Sequence, residues 1–557
     1  MPRPRLSSSP ADWLVVALFA TALALLGGWW LDAQPVPVAD GTTGRLQCIS
    51  YAPSDAGSRD PRGVTREQLQ RDLALLAQRT DCVRTYTVAD GFDQVPAIAR
   101  ELGLEVLLGA WIGGDAQHNE REVALVIDTA LRHRDTIRAI VVGNEVLLRH
   151  ELTPEQLAVL IRRVGHATGM PVTYADVWGF WVKHLSLAQA VSFVTVHIIP
   201  YWDDEPVGID AVIPYVDALY AEMQRTFPGK DVLIGETGWP SAGRPRGAIE
   251  PGRVNQARYL RGFTALAERR GIDYNLIEAF DQPWKRAPEG TVGGYWGLYD
   301  SQRREKFPWL GPVAEVPQGR AVVVIALAGA AVGFFAGWLG SGGAMRLRRS
   351  LAYAGAAALL VAIGARQWLY LDAGNVAPID WVATLGVAVA GWLALGHAIR
   401  ALALARATRD PLPRWLVLLL LLCCAYVCLG LVFAGRHRDF PVWLFLPAAL
   451  GIAITAIHDP QVRAASLRAR RATDEVVLAA WLVMAGVLIP LLERFQNGRS
   501  IGWGLTSVLL GLGVLLPLAL QSRKHQGAAE HADAGPREAV KHHAKSADRD
   551  GERGRDR

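Results

Sequence analysis

The sequence predicts an α/β architecture joined to a membrane-embedded one, namely a (β/α)8 TIM barrel plus a multi-span α-helical transmembrane domain. Three observations predict it. Residues 46–310 alternate short apolar strands with amphipathic helical segments, eight strands in all. Residues 320–520 hold seven long apolar runs, and residues 12–31 hold another. Acidic side chains gather at the ends of several predicted strands, where a barrel keeps its open mouth.

The elements follow in order. Residues 1–11 carry Arg3 and Arg5 ahead of the apolar run 12–31, DWLVVALFATALALLGGWWL. About 20 apolar residues cross a bilayer as a helix. The leading arginines place residues 1–11 in the cytoplasm, and Trp29 and Trp30 suit the far interface. A cleaved signal peptide is the competing reading, although the run is long and lacks a clear small-residue cleavage site. The region 40–312 then supplies candidate strands at 46–52, 82–88, 104–112, 137–146, 171–178, 192–201, 231–239 and 273–281. Amphipathic segments such as TREQLQRDLALLAQR (65–79) and TPEQLAVLIRRVGHA (153–167) lie between them. Strands rich in Val, Ile and Leu without clean alternation are those of a parallel sheet buried on both faces. An open doubly wound sheet is the alternative; eight strands with acid-rich ends favour the barrel.

The later apolar spans fall near 321–339, 351–371, 380–399, 414–434, 440–458, 475–492 and 501–520. Arg346, Arg348 and Arg349 follow the first of them. Arg400, Arg406, Arg409 and Arg414 follow the third, and Arg463, Arg468, Arg470 and Arg471 the fifth. The alternate loops are poorer in arginine, so the rich loops are cytoplasmic and the barrel faces outward, periplasmic in a cell with two membranes. Arg366, inside one span, either lines a polar path or snorkels to the interface. The tail 521–557 mixes charges with Ala, Gly and His and reads as a disordered cytoplasmic segment.

A net charge of +5 over 557 residues, held largely in short loops and the tail, implies no nucleic-acid partner. Of the five cysteines, Cys423, Cys424 and Cys428 lie in one apolar run without His or acidic companions, so no metal site is expected there. Cys48 and Cys82 fall in the first two strands and admit a disulfide if the domain is exported.

Two glutamates carry the predicted chemistry. Glu145 ends the fourth strand in VVGNEVLLR, and Glu236 ends the seventh in LIGETGWPSAG. A glutamate in an apolar strand is costly unless it faces the mouth. Cleavage of a glycosidic bond needs such a pair of carboxyl groups, one to protonate the leaving oxygen and one to attack or activate water.

GNEV (143–146) and GETGWPSAG (235–243) resemble the two signatures of glycoside hydrolase family 17, with supporting likeness at ISYAPSD (49–55), VRTYTV (83–88), EAFDQPWK (278–285) and GGYWGLYD (293–300). That family contains β-1,3-glucanases and β-1,3-glucan glucanosyltransferases, and the membrane arrangement resembles bacterial members implicated in periplasmic β-glucan synthesis and remodelling. The resemblance implies Glu145 as general acid/base and Glu236 as nucleophile. It implies Asn144 on the sugar 2-hydroxyl, Tyr201 orienting Glu236, and Tyr51, Arg84 and Tyr86 around the reacting sugar. Glu278 and Lys285 form a further polar cluster, and Trp239 and Trp284 are the preferred sugar-stacking platforms among Trp111, Trp178, Trp202, Trp239, Trp284 and Trp296. The chain departs from plant members at Phe280-Asp281-Gln282 and at His197-Ile198-Ile199-Pro200-Tyr201.

The implied activity is that of a retaining β-1,3-glucan transglycosylase, with endo-β-1,3-glucanase activity as the alternative and a catalytically silent glucan-binding membrane protein as the reading from another class. The expected partners are β-glucan, the membrane, and a glucan synthase or exporter. The span region lacks nucleotide-sugar motifs, and neither a cofactor nor a metal is implied.

Overall fold

The computed structural model describes residues 9–41, 45–53, 64–340, 345–404, 412–433, 438–458, 460, 464–465, 467 and 473–520. The tail 521–557, the leading Arg3 and Arg5, and the loop arginines Arg406, Arg409, Arg463, Arg468, Arg470 and Arg471 lie outside them. Two units result, a barrel unit (Trp29–Arg320 with Asp372–Pro378) and a helical unit drawn from the rest.

The barrel unit closes eight parallel strands in sequence order. They are β1 (Ile49–Ser50), β2 (Cys82–Arg84), β3 (Glu105–Ala110), β4 (Ile137–Asn144), β5 (Val172–Val177), β6 (Val194–His197), β7 (Val232–Thr237) and β8 (Asp273–Leu276). Leu107, Ala139, Val141 and Leu233 point into the barrel with Cys48, Cys82 and Ala175. Their neighbours Val106, Leu108, Ile140 and Val142 point outward onto the helices. Both faces are therefore apolar, which is why the sequence shows runs and not alternation. The strands are shorter than their apolar runs, because the flanking residues continue into loops held by side chains. Cys48 and Cys82 are joined by a disulfide across β1 and β2.

Helices α2 (Arg66–Leu76), α3 (Val95–Glu101), α4 (Ala116–Arg132), α5 (Pro154–Thr168), α6 (Trp178–Lys183), α7 (Val212–Thr226) and α8 (Arg253–Arg270) follow the strands. Helix α5 starts on a capping box. The Thr153 hydroxyl accepts from the Gln156 amide, and the Gln156 side chain accepts from the Thr153 amide. Gly169, at φ 64°, closes it.

In the helical unit, helices cover all eight expected spans. They are α1 (Pro10–Asp32), α9 (Gly319–Leu339), α10 (Met345–Gly374), α11 (Pro378–Leu404), α12 (Arg414–Phe433), α13 (Val442–His458), α14 (Thr473–Leu492) and α15 (Gly498–Leu520). Among the described residues, seven helices are long and apolar enough to cross a bilayer, the seven other than α13. The 17 residues of α13 reach about 25 Å. Small residues let α11 and α13 approach, since a methyl added at Gly451 would meet the Ala394 backbone at 2.5 Å. Arg366 lies over the Trp443 ring, 5.5 Å from its centroid.

Candidate active site

Glu145 and Glu236 leave their strands at the same end of the barrel. Glu236 is the penultimate residue of β7, and Glu145 directly follows the end of β4. The backbone turns sharply around Glu145. Gly143 has φ 88° and Glu145 itself φ 53°, and the β4–β5 register shifts between Val141 and Asn144. A left-handed glutamate is uncommon and persists where its surroundings over-determine it. Here the Glu145 amide donates to the Ala175 carbonyl at 2.8 Å, and the Tyr174 hydroxyl accepts from the Leu147 amide at 2.9 Å while donating to Asp176. Arg149 donates to the carbonyls of Asn144 and Ile112 from the same turn.

Glu236 is nearly sealed. Its Oε1 accepts from the Tyr86 hydroxyl at 2.8 Å and from Arg84 Nη1 at 3.1 Å. Arg84 also donates to the Gly235 carbonyl (2.8 Å) and to Asn144 Oδ1 (2.6 Å). One guanidinium thus ties the ends of β4 and β7 together. Burial and the Glu236 charge push the Tyr86 hydroxyl well up, so it stays protonated as a donor.

Glu145 is the more open of the pair, its side chain 25% exposed. His197 Nδ1 lies 2.9 Å from its Oε1. Burial works to raise the Glu145 carboxyl, but the hydrogen bond and charge at His197, with Arg149 and Arg84 behind, hold it below the usual glutamate value. Donor atoms of Glu145, His197 and Glu236 all lie within 4.8 Å of one another. Such a triad has the donor types for a cation, yet the Arg84 guanidinium already occupies Glu236 Oε1 and opposes a second positive charge there.

Beside them, Glu278 pairs with Lys285 at 2.9 Å. Burial raises the Glu278 carboxyl to about 7 against the pull of Lys285. Glu289 is raised by burial and by the charges of Glu236 and Glu145. Behind this cluster, Lys306 Nζ donates to Asp281 Oδ1 and Ser241 Oγ, both at 2.7 Å, and burial raises Asp281 to about 6.

The remaining predicted residues divide. Trp284 is 42% exposed, and its indole N–H donates to Gln282 Oε1 at 3.0 Å. Trp239 is fully buried, stacks on Tyr259 and donates to the Glu250 carbonyl, so it packs the barrel top and offers no platform. Tyr51 is also sealed, with its hydroxyl on Asp72 at 3.1 Å, a partner it shares with Arg303; large rings near the mouth fill the space between loops before a ligand can. Tyr201 packs edge-on against Trp202, Trp239 and Trp296 and donates to the Arg244 carbonyl at 3.2 Å, while the phenol that donates to Glu236 is that of Tyr86. His197, Asp176, Arg149 and Glu289 join the site without having been given a role from the sequence. The available signal was position, since His197 and Asp176 end β6 and β5 as Glu236 ends β7.

Residues 48–297 match the BtgE/BtgC glycoside hydrolase domain. Glucan 1,3-beta-glucosidase of Schizosaccharomyces pombe is 28% identical over 256 residues, covering 42% of this chain and 78% of the relative. The relative of the same description in Arthroderma benhamiae is 26% identical over 270 residues, covering 45% and 87%. A solved glycoside hydrolase family 17 beta-1,3-glucanosyltransferase from Rhizomucor miehei is 26% identical and covers 49% of this chain and 98% of its own, with a TM-score of 0.41. Over residues 48–297 this chain is similar to the BtgE/BtgC glycoside hydrolase domain, and over its barrel to glucan 1,3-beta-glucosidases.

Proposed function

We propose that the protein is a membrane-anchored retaining β-1,3-glucan transglycosylase, with Glu236 as nucleophile and Glu145 as general acid/base. One observation carries the reading: an oxygen of Glu145 lies within 4.8 Å of one of Glu236. Retaining glycosidases hold their carboxyl groups about 5–5.5 Å apart, whereas inverting ones leave about 6.5–9.5 Å for a water. Glu236, gripped by Arg84 and Tyr86, is held in place to attack the anomeric carbon. Glu145, more open, meets the leaving oxygen. In the first step the bond from C1 to the leaving oxygen breaks, that oxygen takes a proton from Glu145, and C1 bonds to Glu236. In the second, an acceptor hydroxyl gives its proton to Glu145 as its oxygen displaces Glu236 from C1.

The acceptor decides between transfer and hydrolysis, and both use the same residues. Transfer is favoured by anchoring, since an enzyme fixed facing the periplasm meets newly exported glucan. The loops richer in arginine support an orientation with the barrel outside the inner membrane. The helical unit exceeds what anchoring needs, which fits a glucan synthase or exporter as partner. The test uses the full-length protein with β-1,3-gluco-oligosaccharides of defined length, products being sized by mass spectrometry. Products longer than the substrate, with turnover lost by at least about 10³-fold in Glu236→Gln, are expected. Shorter products alone make it a hydrolase, and turnover that survives in Glu236→Gln contradicts the assignment.

A further inference from the structure

His197 is fully buried at the end of β6, between the two carboxylates. Its Nδ1 lies 2.9 Å from Glu145 Oε1, and its Nε2 lies 3.7 Å from Glu236 Oε1 with no hydrogen-bond partner among the described residues. Asp176 on β5 is a third acidic group acting on the ring. Arg84 on β2, Arg149 beyond Glu145, and Glu289 complete the charges around the pair. From β7 the ring meets Gly235, where an added methyl would lie 3.2 Å from its Cδ2 and 2.4 Å from Thr195 Cγ2.

An imidazole set between two carboxyl groups gains most from hydrogen on both sides. Either both ring nitrogens are protonated, or Nε2 carries one hydrogen and Glu145 Oε1 carries the other. The two arrangements have the same net charge and differ by the shift of one proton along Nδ1···Oε1.

We propose that His197 is a positioning residue that stores the catalytic proton, shared between its Nδ1 and Glu145 Oε1, while its Nε2–H faces Glu236. The proposal rests on the acid and nucleophile roles given above. It accounts for how Glu145 serves as an acid although its own carboxyl is held low: the missing proton is one hydrogen bond away. When the leaving oxygen takes that proton, Glu145 becomes a carboxylate facing a bare Nδ1. That repulsion makes it a stronger base towards the acceptor hydroxyl, whose proton restores the pair. Glu236 is meanwhile esterified to C1 and uncharged, so Nε2–H loses its attraction only while the intermediate lasts.

His197→Asn keeps an N–H towards Glu145 but cannot hold the extra proton. The full-length protein and this variant are compared against pH on two donors, by kcat/KM on the first and by the rate of labelling on the second. One is a β-1,3-gluco-oligosaccharide, whose departure needs a proton; the other is a 2-deoxy-2-fluoro β-glucosyl fluoride of the same series, whose fluoride departs without one and whose glycosyl-enzyme persists. The expected result is a basic limb moved to lower pH by about one unit or more on the oligosaccharide, with covalent labelling of Glu236 by the fluoride within a few-fold of wild type. A basic limb left in place, with both donors slowed equally at every pH, overturns the proposal and leaves His197 a packing residue. Failure of the fluoride to label Glu236 in the wild type instead brings down the nucleophile assignment, and this proposal with it. If the melting temperature shows that His197→Asn does not fold, Gly235→Ala, which crowds the ring without removing it, is carried through the same comparison. It is expected to move the same limb in the same direction, and an unmoved limb overturns the proposal.

Discussion

Glu236 is held by two donors of different kinds, a guanidinium and a phenol, while Glu145 is held by one imidazole and stays partly open. On the proposed reading, that asymmetry assigns the gripped carboxylate to attack and the more open one to proton transfer. The neighbouring Glu278 offers a test of the electrostatics by stability. Burial raises its carboxyl from 4.5 to about 7. A native state that holds a proton more tightly than the unfolded chain is stabilised by acid. The contribution of Glu278 is therefore complete below pH 4.5 and is lost as pH rises through about 7. In Glu278→Gln, which does not titrate, the fall in melting temperature across that window is expected to flatten; an unchanged slope refutes the assigned burial effect. The two carboxylates were legible in the sequence because a carboxylate ending an apolar strand is costly anywhere but at an open mouth. Tyr51, Trp239 and Tyr201 were less so, since a ring near the mouth reads the same whether it faces a ligand or fills the barrel top. Tyr86 was placed near the reacting sugar, and its grip on Glu236 emerges only from the fold.

At the scale of elements, the site depends on how closely β2 approaches β3. A methyl at Gly109 of β3 would meet the Thr85 carbonyl at 2.1 Å and Tyr86 Cα at 2.7 Å. Gly109→Ala must push this segment away, at a cost of about 1–3 kcal/mol for overpacking. It is expected to loosen the Tyr86 hydrogen bond to Glu236, lowering both melting temperature and kcat. A variant as active as wild type would show that Tyr86 placement is not limiting. The number and order of strands were legible from apolar periodicity, and the helix beginning at Pro154 from its Thr–Pro–Glu–Gln start. Strand ends were not. The apolar run 192–201 continues past His197, where the β6–β7 register shifts between Val196 and His197 and the chain turns into the mouth.

For the whole molecule, helices lie over all eight expected spans, and among the described residues seven of them are long and apolar enough to cross a bilayer. The proposed orientation rests on loop arginines, several of which lie outside the described residues. The Cys48–Cys82 disulfide joins β1 and β2 across 34 residues. The sequence admitted this pairing without requiring it, since adjacency of two strands is a property of the closed barrel. Removing it in Cys48→Ser/Cys82→Ser is expected to destabilise the barrel by about 2–4 kcal/mol, read as a lowered melting temperature that added reductant does not lower further. Equal stability of variant and oxidised wild type would show that the bond does not form in the folded protein.

The central claim is a covalent glycosyl intermediate on Glu236. A 2-deoxy-2-fluoro β-1,3-linked glucosyl fluoride forms that intermediate and slows its breakdown. The full-length protein would be incubated with it, its mass measured intact, and the labelled peptide mapped. One sugar adduct per chain, located on Glu236 and released when an oligosaccharide acceptor is added, is the predicted result. Turnover of natural oligosaccharide without any adduct, or an adduct on another residue, would contradict it.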